Sequence, residues 1–241
     1  MSRWITGARP RTLPAAVVPV AVGAAAAVGE PTDIVWWRVA AALIVSLSLQ
    51  VGVNYANDYS DGVRGTDDVR VGPTRLVASG LASPSAVKRA ALLSFAVAAV
   101  AGLAIALSTS LILLLVGAAA IAAGWFYTGG PKPYGYLGLG EVFVFVFFGL
   151  VATAGTTFAA IESVTALSLV TGSAVGALAC ALLVINNLRD IPTDREVGKK
   201  TLAVRLGDRR TRWFYVGLIG AAFVLSAVGA AWRLPVLLGL A

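Results

Sequence analysis

Leu43-Ile44-Val45-Ser46-Leu47-Ser48-Leu49-Gln50-Val51-Gly52-Val53-Asn54-Tyr55-Ala56-Asn57-Asp58-Tyr59-Ser60-Asp61 passes from an uncharged apolar run into two amides and two carboxylates. An acid at the end of a membrane-length apolar segment is costly unless a cation meets it. On an ideal helix Asn54, Asn57, Asp58 and Asp61 fall within an arc of about 100° and face one point. Gly62 is expected to stop the helix there, and Asp67 and Asp68 follow in the loop.

A second cluster ends another apolar run: Asn186-Asn187-Leu188-Arg189-Asp190-Ile191-Pro192-Thr193-Asp194, then Glu196. Pro192 disfavours helix at Ile191, so Asp194 falls in a loop or a new turn. A single Asp in such a place reads as a solvated helix-end acid paired with a nearby Arg. Two matched Asn/Asp clusters, one in each half of the chain, read as a degenerate internal repeat. Facing each other, they could hold two Mg²⁺ ions a few ångströms apart, bridged by a diphosphate.

Composition narrows the chemistry. Of 241 residues 58% are hydrophobic and 13% charged, with 26 Gly and a mean hydropathy of +0.84, too apolar for the surface of a water-soluble domain. The chain reads as an all-α, polytopic transmembrane helical bundle forming one integrated domain over residues 1–241. Its Ala, Gly and Ser content suits close helix approach in lipid. With no His and a single Cys, imidazole-based triads, a disulfide and cysteine metal clusters are excluded, and Cys180 reads as an inert packed thiol. A metal would have to bind through oxygen, as Mg²⁺ does. No cleavable signal peptide is evident.

Apolar runs at about 13–29, 34–57, 84–107, 110–127, 138–160, 164–188 and 212–232 are candidate spans, and an eighth begins near Leu234. With a cytoplasmic N-terminus, every basic residue of the 19 except Arg38 and Arg233 falls on the cytoplasmic side, a strong positive-inside pattern. It places both acidic clusters, and the long loops at about 59–83 and 189–211, on that face. The +7 net charge follows from topology, and equally suits anionic lipid headgroups or an anionic substrate. No nucleic-acid partner is expected.

Arg64, Arg70, Arg75, Arg189, Arg195, Lys199 and Lys200 interleave with the acids. Carboxylate, Mg²⁺ and Lys/Arg together bind polyphosphate. No GxxxxGK[ST] loop is present, so this is not a P-loop site. A diphosphate site beside an apolar cavity suggests a lipid diphosphate.

Asn57-Asp58-Tyr59-Ser60-Asp61 with Asp67 resembles the NDxxD signature of the UbiA-type intramembrane aromatic prenyltransferase family. Asp190-Ile191-Pro192-Thr193-Asp194, with Gly198-Lys199-Lys200-Thr201-Leu202 beyond, is similar to that family's DxxxD signature. The likeness runs along essentially the whole chain. Ala8-Arg9-Pro10-Arg11-Thr12-Leu13-Pro14, Gly72-Pro73-Thr74-Arg75, Tyr127-Thr128-Gly129-Gly130-Pro131 and Leu137-Gly138-Leu139-Gly140-Glu141 resemble the branch acting on 1,4-dihydroxy-2-naphthoate in the menaquinone pathway.

The resemblance implies a bundle around a central cavity open to the cytoplasmic side of the bacterial plasma membrane. The family has nine helices, so the last helix or helix pair is expected to be missing or incomplete here. It implies two Mg²⁺ ions, one held by Asn57, Asp58 and Asp61, the other by Asp190 and Asp194, with Asp67 assisting. Arg75, Lys132 and Lys199 would contact the diphosphate of a polyprenyl donor; Arg9 and Arg11 would meet the acidic aromatic acceptor near the cytoplasmic opening or, as an equal reading, serve as positive-inside anchors. Asn54, Asn187 and Tyr127 are expected among the substrate-binding residues. Trp125, Phe126, Tyr127 and Tyr134 could wall the cavity and stabilise an allylic cation, although ordinary packing or interface anchoring is the favoured reading of each. The implied reaction transfers the polyprenyl group to dihydroxynaphthoate with loss of CO₂, giving demethylmenaquinone. Transfer to another acceptor, 4-hydroxybenzoate or homogentisate, is the nearest alternative. A cation-coupled carrier is the alternative of another class, because intramembrane acids in two related halves describe carriers too. A noncatalytic scaffold leaves the paired acids unexplained.

Overall fold

Proline and hydroxyl caps set the helix starts. The structure, a computed structural model, describes residues 2–66 and 74–237, with side chains as far as Arg233. A short helix, α1 (Arg3–Ala8), and a 3-10 turn (Pro10–Thr12) lead into α2 (Pro14–Ala27). Pro14 opens α2, where its missing N–H costs nothing. Next come α3 (Trp36–Arg64), α4 (Pro84–Ser108) and α5 (Ile112–Phe126). Ser83 caps α4 by accepting from the Ala86 amide, and Pro84 is its first residue.

After a 3-10 turn at Tyr134–Leu137, α6 (Gly140–Val144), a π-helical segment (Phe145–Val151) and α7 (Ala152–Ile161) run on as one span. Thr165 then caps α8 (Ala166–Arg189). A short α9 (Ile191–Glu196) leads to α10 (Leu202–Leu237), which is broken at Gly207 (φ 75°, ψ 171°). The architecture is all-helical among the described residues.

By length and composition five helices can cross a bilayer, or six if α2 joins the preceding segment, to which it is bent by 49°. α5 is apolar but has 15 residues, short of the roughly 20 that span the hydrocarbon core. The seven expected runs therefore all appear as helical segments, but not all are full spans by themselves. The expected eighth is not a separate element, since residues 234–237 continue α10.

Two loop expectations also change. α3 does not stop at Gly62 but continues to Arg64, and Gly65 (φ 70°) ends it, with the Thr66 amide bonded back to the Asp61 carbonyl. Gly62 answers a different need: a Cβ there would lie 2.5 Å from Val77 Cγ1, so the chain beyond α3 can return against the helix. The region expected as a loop over 189–211 contains α9 and the start of α10.

Arg38 Nη1 donates to Glu162 Oε1 at 2.7 Å and Arg38 Nη2 to the Ser108 carbonyl at 2.6 Å, while Arg233 Nη2 donates to the Ala26 carbonyl at 2.8 Å. The two basic residues set apart by the charge pattern are thus used as staples at the end of the bundle remote from Asp61. Backbones meet through small residues, as lipid-embedded helices require. The Thr157 hydroxyl donates to the Gly23 carbonyl at 2.7 Å, and a Cβ at Gly149 would lie 2.5 Å from Gly176 Cα. Gly149→Ala should therefore cost about 1–3 kcal/mol by overpacking, read as a lower thermal unfolding midpoint in detergent. An unchanged midpoint would show that the contact between the π segment and α8 gives way freely.

Candidate active site

Backbone amides face the most deeply buried acid among the described residues. Asp58 is 0% exposed. Its Oδ2 accepts the Leu76 N–H at 2.8 Å and its Oδ1 the Val77 N–H at 3.0 Å. Charge-assisted bonds of this kind are roughly twice as strong as neutral ones. They dock the segment after residue 73 onto α3 and bring Arg75 to the site, with its Nη2 3.7 Å from Asp61 Oδ2.

The rest of the first cluster also fans outward instead of converging. Asn57 Oδ1 accepts from the Thr128 hydroxyl at 2.8 Å. Asn54 Nδ2 donates to the Ala8 carbonyl at 2.9 Å and to Thr12 Oγ1 at 3.0 Å. Three of the four side chains expected to share one focus each hold a different piece of chain against α3.

Asp61 is the member that faces the second cluster. Its Oδ1 accepts the Tyr136 hydroxyl at 2.5 Å and lies 3.7 Å from Lys199 Nζ. The same ammonium is 3.8 Å from Asp194 Oδ1. One carboxylate from each cluster therefore faces a common cation. Lys199 is held there by its own amide, which donates to the Asp194 carbonyl at 2.8 Å, and Gly198 (φ 76°) makes the turn that allows it. The break Pro192 was expected to cause is a new helical turn, α9, which carries Asp194. Asp190 is chelated by the neighbouring Arg189 at 2.6 and 2.9 Å.

Tyr136 is a site residue that sequence reading missed. Its ring lies under Lys199 at 4.7 Å and under Arg64 at 5.6 Å. Burial first, and the negative charge of Asp61 second, push its phenol above the ordinary value. It remains a proton donor to Asp61 at any physiological pH. Arg64 donates to the Thr128 and Gly130 carbonyls and so ties the loop after α5 to the end of α3.

The remaining expected residues are spread around this centre. Arg9 has a left-handed backbone (φ 53°, ψ 72°), a strained conformation for a non-glycine residue, and its carbonyl accepts from Thr12 Oγ1 at 2.9 Å. Arg11 and Lys132 are exposed. Asn187 Nδ2 turns to the buried Glu141 at 3.1 Å, whereas the neighbouring Asn186 lines the cavity. Tyr127 lines that cavity too and packs edge-on to Tyr134. Asp67 lies outside the described residues.

The cavity measures about 320 Å³. At its polar end stand Thr12, Gln50, Asn54, Asn57 and Tyr127, and its depth is walled by apolar groups such as Val45, Phe147 and Ala159. Among the described residues no three acidic side chains are grouped closely enough to hold a metal by themselves. That fits Mg²⁺ with a phosphorylated substrate, because this ion is usually held by one or two carboxylates together with phosphate oxygens. Asp61 and Asp194 are the pair that would hold it.

A membrane-embedded helical bundle, with an apolar cavity and with paired carboxylates and cations one turn of α3 beyond the cavity's polar end at Asn57, is the class of protein that this fold and site define. The UbiA prenyltransferase family matches residues 16–241, and the chain belongs to it. It is 56% identical over 227 residues to 1,4-dihydroxy-2-naphthoate octaprenyltransferase of Mycobacterium tuberculosis, covering 94% of this chain and 77% of that one. The Escherichia coli protein described by the same words is 36% identical, with 93% and 75% covered. A UbiA homolog from Archaeoglobus fulgidus, solved with GPP and Mg²⁺ bound, shares the fold at TM-score 0.69 and 16% identity, covering 95% of this chain and 77% of that one.

The two aspartates of α3 should separate by experiment. Asp58→Ala removes two charge-assisted bonds, each worth about 1.5–3 kcal/mol, and should lower the unfolding midpoint without moving the Mg²⁺ dependence of the remaining activity. Asp61→Asn should raise the Mg²⁺ concentration needed for half-maximal rate. Equal Mg²⁺ shifts in the two variants would return Asp58 to the metal.

Proposed function

We propose that the chain transfers a polyprenyl group from a prenyl diphosphate to 1,4-dihydroxy-2-naphthoate. The observation that carries the site assignment is the meeting of Asp61, Asp194, Lys199 and Arg75, with Asp61 one turn of α3 beyond Asn57, which lines the polar end of the cavity. The acceptor is supported by the identity with relatives described as naphthoate octaprenyltransferases.

Asp61 and Asp194 would hold Mg²⁺, which would neutralise diphosphate charge, and Lys199 and Arg75 would bind diphosphate oxygens. Tyr136 keeps Asp61 aimed by donating to it. The C–O bond between prenyl carbon and diphosphate breaks, and the electron pair leaves with the diphosphate. Fixed positive charge at the leaving group is the main catalytic contribution. The electron-rich ring of the acceptor forms the new C–C bond, and its carboxylate departs as CO₂, leaving its bonding electrons in the ring. The exchange therefore releases no net proton, and the product is the quinol form of demethylmenaquinone. This balance is compatible with a chain that has no His.

Asp58, Asn57 and Asn54 serve by positioning the segments they bind, Asp190 supports the second carboxylate, and Lys132 meets the diphosphate from the loop after α5. Arg9 and Arg11 receive the acceptor's carboxylate at the mouth. In the membrane the polar end faces the cytoplasm, where the positive-inside pattern places it, and the protein resides in the bacterial plasma membrane.

Radiolabelled prenyl diphosphate given with dihydroxynaphthoate, 4-hydroxybenzoate or homogentisate tests this directly. Labelled lipid product is expected with the naphthoate, and a preference for either of the others would reassign the acceptor. Ion or substrate flux across proteoliposomes without covalent product would favour a carrier. Asp61→Ala or Asp194→Ala should lower kcat by at least about a hundredfold while the protein still inserts, and near-normal turnover by both would remove them from the centre.

A further inference from the structure

Gln50 stands in the main cavity and takes no part in the contacts around Asp61. It is 7% exposed and lines the cavity's polar end. Its amide belongs to a ladder of bonds whose direction is fixed from one end. The Ala8 carbonyl can only accept, so Asn54 turns its Nδ2 there, at 2.9 Å. The Thr12 hydroxyl donates its proton to the Arg9 carbonyl at 2.9 Å, so toward other side chains it can only accept, and Asn54 Nδ2 reaches it at 3.0 Å. Asn54 Oδ1 is thereby turned to Gln50. Gln50 Nε2 donates to both acceptors, Thr12 Oγ1 at 3.1 Å and Asn54 Oδ1 at 3.3 Å. A side-chain amide has two N–H donors, and both are used. The flipped amide would set its oxygen against two oxygens with no proton between them.

The ladder leaves the carbonyl oxygen of Gln50 over. No described residue donates to it. Other hydroxyls that line the cavity are directed elsewhere: Ser46 donates to the Ala16 carbonyl at 2.8 Å and Tyr134 to the Ala123 carbonyl at 2.9 Å. A buried carbonyl without a donor is costly. The ligand that meets it must bring an O–H or N–H into the cavity. The tail of a prenyl diphosphate is hydrocarbon and brings neither. The aromatic acceptor brings hydroxyls. On 1,4-dihydroxy-2-naphthoate the hydroxyl at carbon 1 adjoins the carboxylate and bonds to it internally, which leaves the hydroxyl at carbon 4 free to donate.

We propose that Gln50 Oε1 accepts a hydrogen bond from that carbon-4 hydroxyl, which makes Gln50 a specificity-determining residue of the acceptor site. The proposal rests on the prenyl-transfer reading. Thr12 links the two ends of the acceptor: its hydroxyl holds the Gln50 amide and bonds the carbonyl of Arg9, whose side chain receives the carboxylate in that reading. An amide carbonyl orients the hydroxyl without taking its proton, in keeping with a product that leaves as a quinol. An aromatic that lacks this hydroxyl leaves Gln50 unmet inside the cavity, a mismatch that sites built around a substrate hydroxyl reject strongly.

The test is equilibrium binding of 1,4-dihydroxy-2-naphthoate and of 1-hydroxy-2-naphthoate, which differs only in lacking the carbon-4 hydroxyl. The purified protein is loaded with Mg²⁺ and an unreactive prenyl thiodiphosphate. Wild type should bind the dihydroxy compound at least about tenfold more tightly, a comparison that needs no variant to fold. In Gln50→Met, of similar length but without the carbonyl, affinity for the dihydroxy compound should fall about tenfold and that for the monohydroxy compound should not fall. Asn54 keeps its bonds to Ala8 and Thr12 in this variant, so the segment that carries Arg9 stays fastened. Equal affinities in wild type overturn the proposal. So does a fall in Gln50→Met that is equal for both compounds, as a purely structural role would give, or no fall for either. Wild type that shows the expected binding ratio but forms no labelled lipid from a reactive prenyl diphosphate overturns the reaction and leaves the Gln50 bond standing.

Discussion

Two carboxylates from opposite halves of the chain share one ammonium, and the rest of the site depends on that meeting. Asp61 and Asp194 both lie within 4 Å of Lys199 Nζ. Like charges repel, and the chain tolerates them here because two cations and a hydroxyl donor are supplied from several directions. Lys199 comes from the turn after α9, Arg75 from the segment docked on α3, and the Tyr136 hydroxyl from the turn before α6. Each supplier needs its own anchor, which explains why so many polar side chains of α3 do structural work.

Asp58 shows how that division operates. Its two oxygens take two consecutive backbone amides, and the residue just before those amides is Arg75. The most buried acid of the signature thus acts on the site by fixing a cation beside its neighbour. Asn57 and Arg64 act alike on the loop after α5, through Thr128 and Gly130. Asn54 acts alike on the segment that contains Arg9 and Thr12. α3 is the rigid element, and three irregular segments are fastened to its last turns. The apolar cavity begins where those fastenings end.

Much of this was legible in the sequence. Apolar runs of membrane length, the lone basic residues Arg38 and Arg233, and the repeated Asn/Asp pattern pointed to a helical bundle with both acidic clusters at one end. The structure has that arrangement. Helical periodicity did not reveal the direction of each polar side chain, because the partners of Asp58 lie in a segment without regular structure. Spacing alone treated Asn54, Asn57, Asp58 and Asp61 as equivalent, whereas long-range contacts make them different. Tyr136 escaped for the same reason: as an aromatic in a loop it carries no signal until Asp61 stands beside it. Gly62 was the expected helix stop; Gly65 makes it instead, and the return of Val77 against α3 gives Gly62 its different role.

The most direct measurement is the position of bound metal. Mn²⁺ can be soaked with an unreactive prenyl thiodiphosphate and located by its anomalous scattering in crystals of the protein. The account predicts metal density between the Asp61 and Asp194 carboxylates, bridged by the diphosphate, with Asp58 still bonded to the Leu76 and Val77 amides. Metal on Asp58, or metal away from both Asp61 and Asp194, would contradict it.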